Sequence, residues 1–165
     1  MKKSLLPRLK KIKMLATDVD GVLTDSGMYY SENGDAMKKF NTRDGMGLVL
    51  LRKAGYHIAI ITSEDTKIVE RRAAKLKITD LIQGARDKVG AMEIVMKRHS
   101  LTWDEVAYIG DDVNDLELMK RVGFAATPAD GTDQNKKIAH YITGKNGGSG
   151  CVREICDLLL SLKKV

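Results

Sequence analysis

The sequence predicts an α/β fold with a mostly parallel central sheet, and three observations predict it. Short apolar runs alternate with longer segments of helical periodicity. Polar clusters stand directly after several of those runs, at the strand ends where open parallel sheets hold their ligands. A length of 165 residues, 43% hydrophobic and 30% charged, suffices for one well-buried domain and is short for two.

The opening "MKKSLLPRLKKIK" has the positive flank of a signal peptide but no apolar segment after it, so it reads as a solvated basic lead-in to a cytoplasmic protein. Residues 12–17 form the first strand. Residues 27–40 carry Asn33-Gly34 between two β-rich runs, a hairpin signal. Residues 44–55 read as a helix that Asp44 caps and Gly55 ends. A second buried strand spans 57–62. The helix at 65–76 places Ile68, Val69, Ala73 and Leu76 on one face. Short strands follow at 79–84, 106–110, 123–127 and 140–143, with helices at 87–98, 114–121 and 151–162. The glycines of 144–150 predict a mobile loop before the last helix. Cys151 and Cys156, five apart, suit neither a metal-binding pair nor a disulfide framework and read as buried free thiols.

The formal net charge is +6, which suits either nucleic acid or a small anionic substrate. The basic residues are scattered beyond the N-terminal run, and 5% aromatics leave little material for base stacking, so the small anion is the better partner. No apolar run approaches the roughly 20 residues that a membrane-spanning helix needs.

The chemistry concentrates in "LATDVDGVLTD" (15–25), where Asp18 and Asp20 flank one valine at the end of the first strand. Thr62 and Ser63 follow the second strand, Asp111 and Asp112 follow "VAYIG" (106–110), and Asp115 lies one turn further. These acids should meet on one sheet edge, where their mutual repulsion calls for a cation. Hard oxygen ligands with room for water and a phosphate are what Mg²⁺ prefers. Thr62 and Ser63 offer hydroxyls and backbone N–H groups to an anion, and Lys88 adds a compact positive charge.

The ordered set D-V-D-G-V (18–22), Thr62, Lys88 and G-D-D-V-N-D (110–115) resembles the four motifs of the haloacid-dehalogenase superfamily of phosphatases. The resemblance covers nearly the whole chain. "NTRDGMG" (41–47) and "GGSGCVRE" (147–154) are similar to the branch that dephosphorylates 3-deoxy-2-keto sugar acids, namely 3-deoxy-manno-octulosonate 8-phosphate and nonulosonate 9-phosphates of the sialic-acid type. It implies one Rossmann-like, haloacid-dehalogenase-like domain over 1–165, with helices on both sheet faces, a small hairpin insertion at 27–40 and no cap domain. It further implies that Asp18 attacks phosphorus to form an aspartyl-phosphate. Asp20 would protonate the leaving alkoxide and then activate water. Thr62, Ser63 and Lys88 would hold the phosphoryl oxygens. Asp18, the backbone carbonyl of Asp20, and Asp111 would hold Mg²⁺, supported by Asp112 and Asp115.

Between Asp20 and Thr62 there is room for a hairpin and one helix only, so a neighbouring subunit would have to close the site. The branch implies a homotetramer that does so. After Thr62 the octulosonate pattern has glycine and arginine; Ser63 and Glu64 stand here instead. Glu64, Arg72 and Lys75 match positions used by the nonulosonate enzymes, with Arg153 a further candidate for the substrate carboxylate. Three other readings have distinct signatures. A phospho-receiver domain would keep a stable phospho-aspartate without turning over small substrates. A non-catalytic copy, as fused to sugar-nucleotide synthetases, would have lost the key acids. A nucleic-acid 3′-phosphatase would show steep salt dependence on oligonucleotides.

Overall fold

A computed structural model describes residues 5–163 of the chain. Residues 1–4 of the basic lead-in lie outside the described residues. In chain order the elements are α1 (Leu6–Leu9), β1 (Met14–Thr17), β2 (Tyr29–Ser31), β3 (Gly34–Met37), α2 (Thr42–Lys53), β4 (His57–Ile61), α3 (Lys67–Leu76) and β5 (Asp80–Ile82). There follow α4 (Lys88–His99), β6 (Val106–Ile109), α5 (Leu116–Arg121), β7 (Phe124–Thr127), α6 (Asp133–Ile138), β8 (Tyr141–Ile142) and α7 (Cys151–Ser161).

Six strands form one sheet in the order β5-β4-β1-β6-β7-β8, every neighbouring pair parallel. Period-2 alternation along the strands builds two cores. Leu15, Ile58, Ile60, Ala107, Ile109 and Phe124 face one, with Leu48 and Leu51 of α2, Val69 of α3 and Ile155 of α7. Met14, Ala16, Ala59, Ile61, Val106, Tyr108 and Ala125 face the other, with Met92 and Val95 of α4 and Leu118 of α5. Helices therefore cover both faces, which is why the central strands are continuously apolar. Among the described residues, no helix is long and apolar enough to cross a membrane.

The hairpin β2–β3 stands apart as a two-stranded antiparallel sheet that turns at Gly34, whose φ is +97°. Its Tyr30 and Met37 are 66% and 62% exposed, so it contributes nothing to either core.

Several local expectations need correction. The lead-in is not wholly solvated: Pro7 opens α1, and Leu5, Leu9 and Ile12 are buried in the first core. Asp44 does not cap α2; Asn41 does, accepting the Arg43 N–H at 2.8 Å. Asp44 lies buried inside α2 and turns its carboxylate to the start of α7, accepting the N–H groups of Arg153 at 2.7 Å and Gly150 at 3.2 Å. Gly55 does end the helix, at φ +86°. A glycine at 47 in mid-helix, otherwise unfavourable, lets α7 approach so closely that a Cβ there would lie 3.0 Å from Cys156 Cβ.

Cys151 and Cys156 are buried and unpaired, as expected, and burial holds both thiols well above their ordinary pKa. The 144–150 segment, expected to be mobile, is tied to the body at several points. Gly148 N–H donates to Val22 O at 2.9 Å, Gly147 N–H to Asp130 Oδ1 at 2.9 Å, and Asn41 Nδ2 to Gly148 O at 3.2 Å.

Candidate active site

Strands β4, β1 and β6 are neighbours in register, Thr17 lying opposite Ile60 on one side and Ile109 on the other. Their carboxyl ends thus bring Thr62, Asp18 and Asp111 to one edge, as the strand-end positions in the sequence predict. The Asp18 N–H extends the ladder by one bond, to Ile109 O at 3.0 Å. Val19 turns away into the first core, leaving Asp18 and Asp20 on the same side. A cavity of about 220 Å³ opens there, lined by Asp18, Asp20, Ser26, Thr62, Ser63 and Glu64, with Asp111, Asp112 and Asn114 completing it.

Gly21 makes this crowding possible. Its φ is +79°, and a Cβ at that position would fall inside the Asp111 carboxylate. Any L-residue there would be strained and would also displace an acid.

The charge arrangement centres on Lys88, whose side chain is buried at the start of α4. Its ammonium donates to Asp18 Oδ2 at 2.7 Å and to Asp115 Oδ1 at 2.6 Å. An ammonium has three protons, so one donor position remains for an incoming oxygen. Burial opposes the lysine's charge, but the two carboxylates outweigh it and raise its pKa. Asp115 is fully buried and saturated. It accepts Lys88 and the Tyr108 hydroxyl at Oδ1 (2.6 Å each) and the Asp111 and Asp112 N–H groups at Oδ2 (2.9 and 3.4 Å). Asp115 therefore fixes Lys88 and the 110–112 loop instead of facing the cavity.

Burial, and next the charge of Asp115, push Asp18 up to about 7 despite the lysine. Burial, then Asp18, Asp115 and Asp112, push Asp111 up to about 8. The buried Asp111 Oδ1 has no hydrogen-bond partner. Carboxylate oxygens of Asp18, Asp111 and Asp115 all lie within 4.8 Å of one another. Three acids that share one lysine, converging with an orphaned oxygen, fit a hard divalent cation. Since Asp115 is saturated, Asp18 and Asp111 are the carboxylates free to hold it.

Thr62 is buried on the backbone, its N–H bonded to Ile82 O and its carbonyl to Ala85 N–H, both at 3.0 Å. Ser63 Oγ donates to Ala85 O at 3.3 Å and accepts Asn114 Nδ2 at 3.2 Å. Asp112, exposed, caps the turn at Val113–Asp115 through Val113 N–H at 2.7 Å. The short α6, absent from the sequence reading, braces this loop: Thr132 N–H donates to Asp111 O and Asn135 Nδ2 to Asp112 O, each at 2.8 Å.

Of the four expected specificity residues, only Glu64 lines the cavity. A helix after a strand runs back from the sheet's carboxyl edge, and a 1.5 Å rise per residue sets Arg72 and Lys75 roughly 8 and 12 Å along α3. Arg72 instead donates to Asn41 O at 3.1 Å and lies over the Phe40 ring, while Lys75 is exposed. Arg153 pairs with Asp157 at 2.8 Å on α7. Within one chain the trio is not assembled.

Sequence reasoning missed Tyr108, Asn114, Ser26 and Lys38. Asn114 sits inside the quoted G-D-D-V-N-D and was legible as a neighbour of its acids. Tyr108 reads as one more apolar strand residue, and Lys38 as half of a solvated Lys-Lys pair. Lys38 Nζ in fact donates to Asp20 Oδ1 at 2.6 Å, with its side chain 1% exposed.

The chain is also similar to known proteins. The family model for haloacid dehalogenase-like hydrolases matches residues 51–155. The chain is 40% identical over 156 residues to 3-deoxy-D-manno-octulosonate 8-phosphate phosphatase KdsC of Escherichia coli (strain K12), covering 94% of this chain and 83% of that one. It superposes on the crystal structure of the Yersinia pestis 3-deoxy-D-manno-octulosonate 8-phosphate phosphatase with a TM-score of 0.95 at 39% identity, covering 98% of this chain and 88% of the other. The Moraxella catarrhalis phosphatase of the same name, crystallised with a magnesium ion, a phosphate ion and a KDO molecule, gives 0.94 at 38% identity, covering 98% and 92%.

Proposed function

The chain belongs to the haloacid dehalogenase-like hydrolases, and on that premise we propose that it is a cytoplasmic, Mg²⁺-dependent phosphomonoesterase that removes the terminal phosphate of a 3-deoxy-2-keto sugar acid. One observation carries the reading: Lys88 bridges Asp18 and Asp115 at a cavity that Thr62, Ser63 and the partnerless Asp111 also reach. Relatives that act on 3-deoxy-D-manno-octulosonate 8-phosphate support the substrate class.

Asp18 is the nucleophile in this reading, and its carboxylate forms an aspartyl-phosphate as the sugar oxygen departs. Thr62 and Ser63 take phosphoryl oxygens, and the remaining Lys88 proton meets the charge that develops on them. Asp20 protonates the leaving alkoxide and then draws a proton from the attacking water, assistance typically worth ~10²–10⁴ in rate. Asp18, Asp111 and the Asp20 carbonyl hold Mg²⁺, which neutralises phosphate charge so that one anion can attack another. Asp112 and Asp115 keep that ligand set in place.

Glu64 is the substrate's hydroxyl-binding group in the chain's own cavity. Arg72, Lys75 and Arg153 stand away from it, and we assign them to the cavity of a neighbouring subunit in a homotetramer. The test compares kcat/KM, with Mg²⁺ present, for octulosonate 8-phosphate and nonulosonate 9-phosphates. At least one should turn over with activity that chelation abolishes and Mg²⁺ restores. No Mg²⁺-dependent phosphate release from any of them refutes the sugar-acid reading. Preference for the nine-carbon substrates would support the role given to Glu64.

A further inference from the structure

The hairpin ends in two consecutive lysines that grip the two ends of the active-site loop. Lys38 Nζ lies 2.6 Å from Asp20 Oδ1, and Lys39 Nζ lies 2.6 Å from Asp25 Oδ2. The two pairs differ in kind. The Lys39 side chain is 64% exposed, and such a surface pair holds its partners only loosely. The Lys38 side chain is 1% exposed, and its other neighbour is the Met28 sulfur at 3.8 Å.

Asp20, partly exposed, keeps some contact with water, so the pair adds little stability beyond what apolar residues of similar volume would give. Its consequence is orientation. The ammonium and the Thr24 hydroxyl (3.4 Å) both engage Oδ1 of Asp20, while Oδ2 is buried and carries no hydrogen bond. The carboxyl group is thus held in one rotamer at the wall of the cavity.

We propose that Lys38 is a positioning residue for Asp20, locking the carboxyl rotamer in the cavity wall for its work at the leaving-group oxygen. The inference rests on the phosphatase reading and assigns part of its acid–base step to the hairpin. In that step the Asp18–phosphorus bond forms as the bond from phosphorus to the leaving oxygen breaks. The proton on Asp20 passes to that oxygen. A carboxyl group free to swing would spend less time in line, and the loss would grow as the leaving group needs its proton more.

The test is a series of substituted phenyl phosphates, hydrolysed by the full-length enzyme with Mg²⁺. Across the series kcat/KM covers only the steps through departure of the phenol, and none of the substrates carries a sugar or carboxylate for Lys38 to bind. For Lys38→Met, rates with weakly acidic phenols should fall about 10–100-fold, a share of the usual acid–base contribution. The 4-nitrophenyl ester, whose anion leaves without a proton, should lose less than about threefold by the same reasoning. The plot of log kcat/KM against phenol acidity therefore steepens. Lys38→Arg should restore most of the wild-type slope, and Lys39→Met should run parallel to wild type. Should Lys38→Met not fold, Lys38→Gln carries the same comparison. Parallel slopes in an active enzyme overturn the positioning role and leave the phosphatase reading standing. A wild-type enzyme inert both on this series and on the sugar-acid phosphates overturns both.

Discussion

At Asp111 the stability of the metal-free fold and the capacity to hold a cation pull in opposite directions. Its Oδ1 is buried without a partner, and three other carboxylates raise the free energy of its charge. Function accounts for such a residue; packing does not. Asp111→Asn keeps the shape and removes the charge, so at mildly alkaline pH the metal-free protein should gain about 1 kcal/mol, the scale of single-site effects. Saturating Mg²⁺ stabilises a native state that binds it, by ~2.7 kcal/mol at a hundredfold excess over Kd. The variant should lose that shift. Thermal denaturation of both proteins with chelator and with Mg²⁺ reads both effects. A variant that is less stable without metal, or stabilised by Mg²⁺ as wild type is, contradicts the ligand assignment.

Among the elements, α2 and α7 are joined through a charge that the sequence assigns elsewhere. Asp44 satisfies two N–H groups at the start of α7, and α7 follows directly on the 147–148 turn that bonds to Val22 of the active-site loop. Asp44→Ala should cost about 2 kcal/mol, near the upper end for a lost cap because the site is buried. Urea denaturation measures it, and a loss under about 0.5 kcal/mol, the size of a neutral surface change, would contradict the capping role. This residue also marks where sequence legibility stops. Strands β1, β4 and β6 were readable because continuous apolar runs end in acids or hydroxyls, and that pattern alone places Asp18, Thr62 and Asp111 together. Asp44 stood before a helical run with the right chemistry for a cap, but Asn41 three residues earlier had it too. Which one acts is decided by α7, over a hundred positions away. The short α1 and α6 lack the length for a periodic signal, and Lys38 reaches Asp20 only because the hairpin folds back. Local pattern gave the strand ends; long-range packing supplied their partners.

For the whole molecule, the exposed apolar side of the hairpin is what one chain leaves unexplained. Met28, Tyr29, Tyr30 and Met37 are all more than two-fifths exposed on a single small element. Clustered exposed apolar side chains mark association surfaces. They support the homotetramer proposed above, in which neighbours bring Arg72, Lys75 and Arg153 to each cavity. Tyr30→Glu combined with Met37→Glu should dissociate the assembly in sedimentation. It should lower kcat/KM for the sugar-acid phosphate at least tenfold while 4-nitrophenyl phosphate, which needs no carboxylate contact, loses far less. A wild-type protein that sediments as a monomer and is fully active on the sugar acid would contradict the assembly. The positive net charge then suits the small anionic substrate proposed above, through long-range attraction.

The proposed chemistry depends on Asp18 taking the phosphoryl group. The direct measurement is an acid quench of the enzyme during turnover of substrate labelled in its phosphate, followed by peptide mapping. The label should appear on the peptide that carries Asp18 and be absent from Asp18→Asn, which should fold and be inactive. Phosphate release by wild type with no labelled peptide, or appreciable turnover by Asp18→Asn, would contradict the mechanism.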